Sequence, residues 1–254
     1  MTTIAFTGKG GVGKTTLAAL AVEWLIAHGR MPVLAIDADS NANLNELLGV
    51  SFSATVGGIR EQARTVIKGD PALSKQEYLS LQLQRALVEQ KGFDFLVMGR
   101  PEGPGCYCYA NNTLRDSIAK LSTAYPYLVV DCEAGLEHIS RRTLLSIDWL
   151  ITVSDQSLRG LRTAVRIDAL LEEMKTRVAH RVVLVNRASR GKAILTSEQS
   201  AALSGSDFEW IMALPEDPAV TAMDAHGGTI ASVPEGSLIR KAMDGLMERL
   251  INES

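Results

Sequence analysis

The sequence predicts an α/β fold: a mostly parallel β-sheet with helices on both faces. Short apolar runs recur at residues 2–7, 33–37, 93–98, 127–131, 148–153, 181–186 and 208–215. They are near-continuously apolar rather than alternating, as parallel strands covered on both faces require. Helical patterns lie between them, at 14–28, 76–91, 110–122, 157–176 and 237–251. Strands that alternate with helices imply a parallel sheet built from crossover units. A glycine-rich loop joins the first strand to the first helix, which is where a phosphate-binding loop of such a sheet belongs.

Taken in order, TTIAFT is β-prone and ends at Gly8, and KTTLAALAVEWLIAH is helical with Gly29 as its C-terminal stop. VLAID is a short strand ending in an acid. Residues 40–90 are helical and polar and are inserted before the third strand, FDFLVM. YLVVD, DWLITV, RVVLVN and FEWIMALP complete the strand series. No repeat, low-complexity segment or linker divides the chain, so residues 1–254 are expected to form one domain.

Composition narrows the function classes. The chain is 46% hydrophobic and 22% charged, with 26 Lys and Arg against 29 Asp and Glu. A net charge of −3 does not favour general binding to nucleic acid or an anionic membrane. The N-terminus lacks a basic region followed by an apolar one, so no signal peptide is expected. No apolar run reaches the length of a transmembrane helix. Three cysteines do not make a disulfide framework, and a cytoplasmic location with reduced thiols is expected.

Gly8-Lys9-Gly10-Gly11-Val12-Gly13-Lys14-Thr15 matches G-x-x-x-x-G-K-[ST]. Its glycines allow positive φ and close backbone approach, so several N–H groups can converge on one phosphate at a helix N-terminus. Lys14 is expected to reach the β- and γ-phosphates, Thr15 to place its hydroxyl on Mg²⁺, and Thr16 to continue the nucleotide-binding surface. Asp37-Ala38-Asp39 follows the second strand, where acids hold Mg²⁺ waters, position an attacking water, or cap the next helix.

Lys9 is not needed by an ordinary phosphate loop. With it, Lys9 to Thr15 resembles the K-G-G-x-G-K-[ST] pattern of the deviant Walker A ATPases. That class includes septum-positioning and plasmid-partition ATPases, the nitrogenase iron protein and metallocentre-assembly ATPases. The resemblance implies hydrolysis of ATP to ADP by a homodimer, with Lys9 reaching the partner's nucleotide in trans. It implies that Asp39 positions the attacking water. It also implies that Asp131-Cys132-Glu133-Ala134-Gly135 is a switch segment in which Asp131 holds Mg²⁺ through water and Gly135 lies near the γ-phosphate. Asn186 would bond the adenine, with Arg187 beside it, and the segment of Pro215 and Asp217 would wall the base. Cys132 reads as a small buried residue.

Residues 101–109, PEGPGCYCY, hold the other two thiols one residue apart. Cys106 and Cys108 read as incidental surface thiols, a redox pair or a metal site. A structural Zn²⁺ site takes four ligands, which two copies of this loop would supply across a two-fold axis. Thiolates suit Zn²⁺, Cu(I) or an iron–sulfur cluster, and four also suit Ni²⁺. PEGPGC resembles the cluster-ligating segment of the nitrogenase iron protein, but the position of that protein's second cysteine is His138 here. The combination is similar to the nickel-insertion ATPases of carbon-monoxide dehydrogenase maturation. That resemblance implies a Ni²⁺ or Zn²⁺ site shared in a dimer and an apo-metalloenzyme client. Tyr107 and Tyr109 flank the thiols as interface or packing residues. The stretch 237–254 is amphipathic but nearly balanced in charge, so a packed helix rather than a stable membrane anchor is expected.

Overall fold

The computed structural model describes residues 1–66, 75–99, 108–133, 146–174, 177–188 and 195–253. Among these residues, eight strands form one sheet: β1 Thr2–Gly8, β2 Val33–Ala38, β3 Val88–Glu89, β4 Phe93–Val97, β5 Tyr127–Cys132, β6 Ser146–Ser154, β7 Arg177–Ala188 and β8 Trp210–Pro215. The spatial order is β3-β4-β2-β5-β1-β6-β7-β8. Every pairing is parallel except β3 with β4. The central strands explain the apolar runs, since every residue of β2 is buried.

β1 is the point where the winding reverses. The chain goes from β1 to one side through β2, β4 and β5, then returns past β1 to the other side through β6, β7 and β8. In open parallel sheets, ligands bind at the carboxyl ends of strands at such a reversal.

Helices cover both faces. On one, α1 (Lys14–Ala27) and the last helix, α9 (Leu238–Asn252), pack on Ile4, Phe6, Val129, Trp149 and Ile151. On the other, α3 (Val56–Val66), α4 (Lys75–Ala86), α5 (Cys108–Ser122) and α6 (Leu158–Met174) pack on Ala5, Leu34, Ile36, Val130 and Leu150. The shorter helices α2 (Leu44–Leu48) and α8 (Pro218–Ala225) join the cluster on the first face through Leu44 and Met223, and α7 (Ser197–Ala202) packs beside α6.

The helical pattern at 76–91 overruns its element. The helix stops at Ala86, and Val88–Glu89 returns as an antiparallel edge strand on Asp94 and Phe95. Gly92, at φ +92°, makes the turn. The amphipathic C-terminal helix is a core element: Ile239, Met243, Leu246, Met247 and Leu250 are buried. Trp24 donates to Asp244 at 3.0 Å and Arg240 pairs with Glu23 at 2.6 Å, so α9 is tied to α1 along its polar edge too. No helix among the described residues is long and apolar enough to cross a membrane.

Candidate nucleotide site

The loop 8–15 lies between β1 and α1, as its motif requires. Two of its glycines are fixed by their surroundings. Gly8 has φ +142°, and a Cβ there would lie 2.1 Å from the Val153 carbonyl oxygen. Gly13 has φ +94°, and a Cβ would lie 2.5 Å from Asn186 Nδ2. Gly13 is also the N-cap of α1 and supplies no side-chain acceptor. The first-turn N–H groups therefore face an anion site rather than a capping side chain. Lys14 is buried, its ammonium donating to the Lys9 carbonyl at 3.4 Å, whereas Lys9 itself is exposed.

Two acids end neighbouring strands beside this loop. Asp37 and Asp131 are register partners in β2 and β5, and both are buried. Asp37 accepts from the backbone N–H of Asp39 at 3.0 Å and of Leu44 at 2.9 Å. Burial outweighs those bonds and pushes its carboxyl up to about 6. Burial likewise pushes Asp131 up to about 7, with Asp37 and Asp39 adding to the rise and Thr15 and Lys14 opposing it. Both Asp131 oxygens lack a hydrogen-bond partner among the described residues. The Thr15 hydroxyl faces Asp131 closely enough to lower its pKa, yet outside hydrogen-bonding geometry. A buried carboxylate left without a donor beside a hydroxyl fits a hydrated divalent cation, whose waters would satisfy both oxygens.

The expected base-binding residues meet on the other side of the loop. Gly13, Thr16, Asn186, Arg187, Pro215 and Asp217 line one cavity of about 310 Å³. Asn186 does more than face this cavity. Its Nδ2 donates to the Val12 carbonyl at 2.8 Å, and its Oδ1 accepts from the Arg187 N–H at 2.9 Å. The end of β7 thus holds the phosphate loop, and Arg187 adopts φ +56° where the strand shifts register against β8 between Val185 and Ala188.

Asp217 turns out to be committed to the backbone. One oxygen accepts from Ala219 N at 2.9 Å at the start of α8, the other from Ile239 N at 2.8 Å at the start of α9. Burial opposes ionisation, but the hydrogen bonds from Ile239, Ala219, Ser237 and Leu238 hold its carboxyl below the ordinary range. Sequence reasoning did not single out the α8 face, where Val220, Thr221 and Asp224 complete the cavity. Thr221 and Asp224 follow Val220 by one and four residues, a helical spacing that was the available signal.

Cys132 is buried among Ala38, Leu128 and Val130, and burial pushes its thiol up, away from thiolate chemistry. Gly135, His138, Cys106 and Tyr107 lie outside the described residues, and Cys108 and Tyr109 open α5. Among the described residues no three His, Cys, Asp or Glu side chains gather as a metal-binding group.

A family model described as an AAA domain matches residues 1–183. An uncharacterized ATP-binding protein of Methanocaldococcus jannaschii is 39% identical over 98% of both chains. The carbon monoxide dehydrogenase accessory protein CooC of Rhodospirillum rubrum is 28% identical, with 88% of this chain and 87% of that protein covered. Among solved structures, the MinC:MinD cell division complex of Aquifex aeolicus matches at a TM-score of 0.71 and 26% identity, covering 100% of this chain and 97% of that one.

Proposed function

The chain belongs to the AAA-domain family of P-loop ATPases, and from that premise we propose that it is a Mg²⁺-dependent ATPase acting as a metallocentre-assembly factor. Residues 1–254 act as a single ATPase domain that works as a homodimer. The observation that carries the ATPase reading is the pairing of the uncapped, glycine-rich start of α1 with the unsatisfied Asp131 carboxylate.

Gly8 to Gly13 present backbone N–H groups to the phosphates, and Lys14 supplies the charge that meets the β- and γ-oxygens. Thr15, together with Asp131 through water, would hold Mg²⁺, which when bound neutralises charge on the phosphate oxygens. Asp39 orients the attacking water. Lys9, exposed on the loop, reaches the partner's nucleotide and stabilises charge in the transition state. Asn186, Arg187, Pro215 and Asp217 form the base pocket, Asp217 by organising its wall rather than by contact through its carboxylate.

Cys106 and Cys108 from two subunits bind Ni²⁺ or Zn²⁺, and hydrolysis opens that site toward an apo-metalloenzyme client, with carbon-monoxide dehydrogenase the first choice. Support comes from the Cys-x-Cys spacing and from similarity to a carbon monoxide dehydrogenase accessory protein. Equilibrium dialysis with Ni²⁺ and Zn²⁺ tests it. Retention of metal by a double variant, Cys106→Ser with Cys108→Ser, would remove this reading and leave the ATPase standing.

A second reading, a spatial-organisation ATPase, is favoured by the likeness to a MinC:MinD complex. Against its membrane form stands the burial of the apolar face of α9. Co-sedimentation with anionic vesicles or DNA in the presence of ATP separates the two.

A further inference from the structure

The register of β2 and β5 sets Asp37 beside Asp131 and Ala38 beside Cys132. The chain therefore leaves the sheet at Asp39 and at Glu133 side by side. Across that gap the Ser40 hydroxyl donates to Glu133 Oε1 at 3.1 Å, joining residues 93 apart in sequence. Both residues are half-buried. The loop after β2 is otherwise fixed at its root, because Asp37 accepts from the N–H groups of Asp39 and Leu44. Asp39 turns its own carboxylate back onto the loop, accepting from Asn41 N at 2.8 Å.

We infer that Glu133 is a positioning residue for hydrolysis, acting through Ser40 on the Asp39 carboxylate. The inference rests on the ATPase reading above. Ser40 is the immediate neighbour of Asp39, and consecutive Cα atoms keep a fixed separation of about 3.8 Å. A displacement of Glu133 just past the end of β5 is therefore passed to Asp39 with little slack. The bond is charge-assisted and partly shielded from water, which makes it stiff enough to carry that displacement. The root at Asp37 supplies the fixed point about which the loop turns. Hydrolysis then depends on both strand ends being in register, because Asp39 is aimed only while Glu133 holds Ser40.

The test is steady-state ATP hydrolysis by the full chain with Mg²⁺, alongside fluorescent-nucleotide titration and thermal unfolding. Ser40→Ala, Glu133→Leu, Glu133→Gln and the double variant Ser40→Ala with Glu133→Leu are compared. Loss of aim by a fraction of an ångström to 1 Å is expected to lower kcat on the order of ten-fold in Ser40→Ala and Glu133→Leu, with nucleotide affinity and Tm unchanged. The double variant should be no slower than either single one, since one contact is removed twice. Glu133→Gln, which keeps an oxygen acceptor, should recover most of the rate. Unchanged kcat in the single variants, or additive losses that track Tm, would overturn the inference while leaving the ATPase reading intact. Absence of hydrolysis by the unsubstituted protein would overturn both.

Discussion

Lys9 and Lys14 sit five residues apart on one loop yet occupy opposite environments, one exposed and one buried. That difference separates their roles. Lys14→Ala should weaken nucleotide binding about 10- to 100-fold, the worth of a charge-assisted contact to phosphate. Lys9→Ala should leave binding nearly intact and reduce kcat on the order of 10³-fold, as loss of a cation supplied in trans does. Mixing the two variants gives the sharper readout. A Lys14→Ala subunit still offers Lys9 to its partner's intact site, so mixed dimers should regain hydrolysis that neither variant shows alone. Failure of the mixture to recover activity would mean that Lys9 acts on its own subunit's nucleotide.

The buried acids give a pH dependence of definite sign. Asp131 rises from an ordinary 3.8 to about 7 in the folded chain, and Asp37 from 3.8 to about 6. The folded state then holds more protons than the unfolded state across that window, so these groups lose stability as pH rises through it. Asp131→Asn removes one of the two contributions. Its advantage in Tm over the unsubstituted, nucleotide-free protein should widen between about pH 5 and pH 8. An advantage that stays constant with pH would show that Asp131 is not protonated in the folded state.

At the scale of elements, α9 decides between two readings of one amphipathic pattern. Ile239, Met243, Leu246 and Leu250 recur at helical spacing, which suits either a membrane surface or a core. The structure turns that face inward onto α1 and the sheet. Leu246→Ala should therefore cost about 2–5 kcal/mol in urea unfolding, the range for deleting a fully buried leucine. A cost near zero would mean that the face is free.

The strands were legible because parallel strands buried on both faces have no polar positions to obscure them, as β2 shows. The phosphate loop was legible because its chemistry fixes residue types at consecutive positions. The edge strand β3 was not, since two residues carry no period and only Gly92 announces the turn. Long-range ties were equally hidden. Nothing near Asn186 in sequence points to Val12, 174 residues away, and nothing near Asp217 tells that Ile239 uses its second oxygen. The residues expected to wall the base do line one cavity, while the work of their polar groups emerged only from the packing.

On the scale of the whole molecule, the chain presents a nucleotide site at the reversal point of the sheet. An exposed Lys9 on that same edge suits a surface that meets a second copy. The proposed Cys106–Cys108 site adds a second reason to dimerise, since two thiolates per chain leave a four-ligand metal half satisfied. The account thus couples metal, nucleotide and subunit contact in one equilibrium. Metal should tighten the dimer, and by linkage the dimer should tighten metal binding by the same factor.

The most direct test is the solution mass by light scattering, without nucleotide, with and without one equivalent of Ni²⁺ or Zn²⁺ per dimer. Cys106→Ser and Cys108→Ser are measured beside the unsubstituted protein. The account predicts that metal doubles the mass of the unsubstituted protein and of neither variant. A mass that ignores metal, or that doubles equally in the variants, would contradict it.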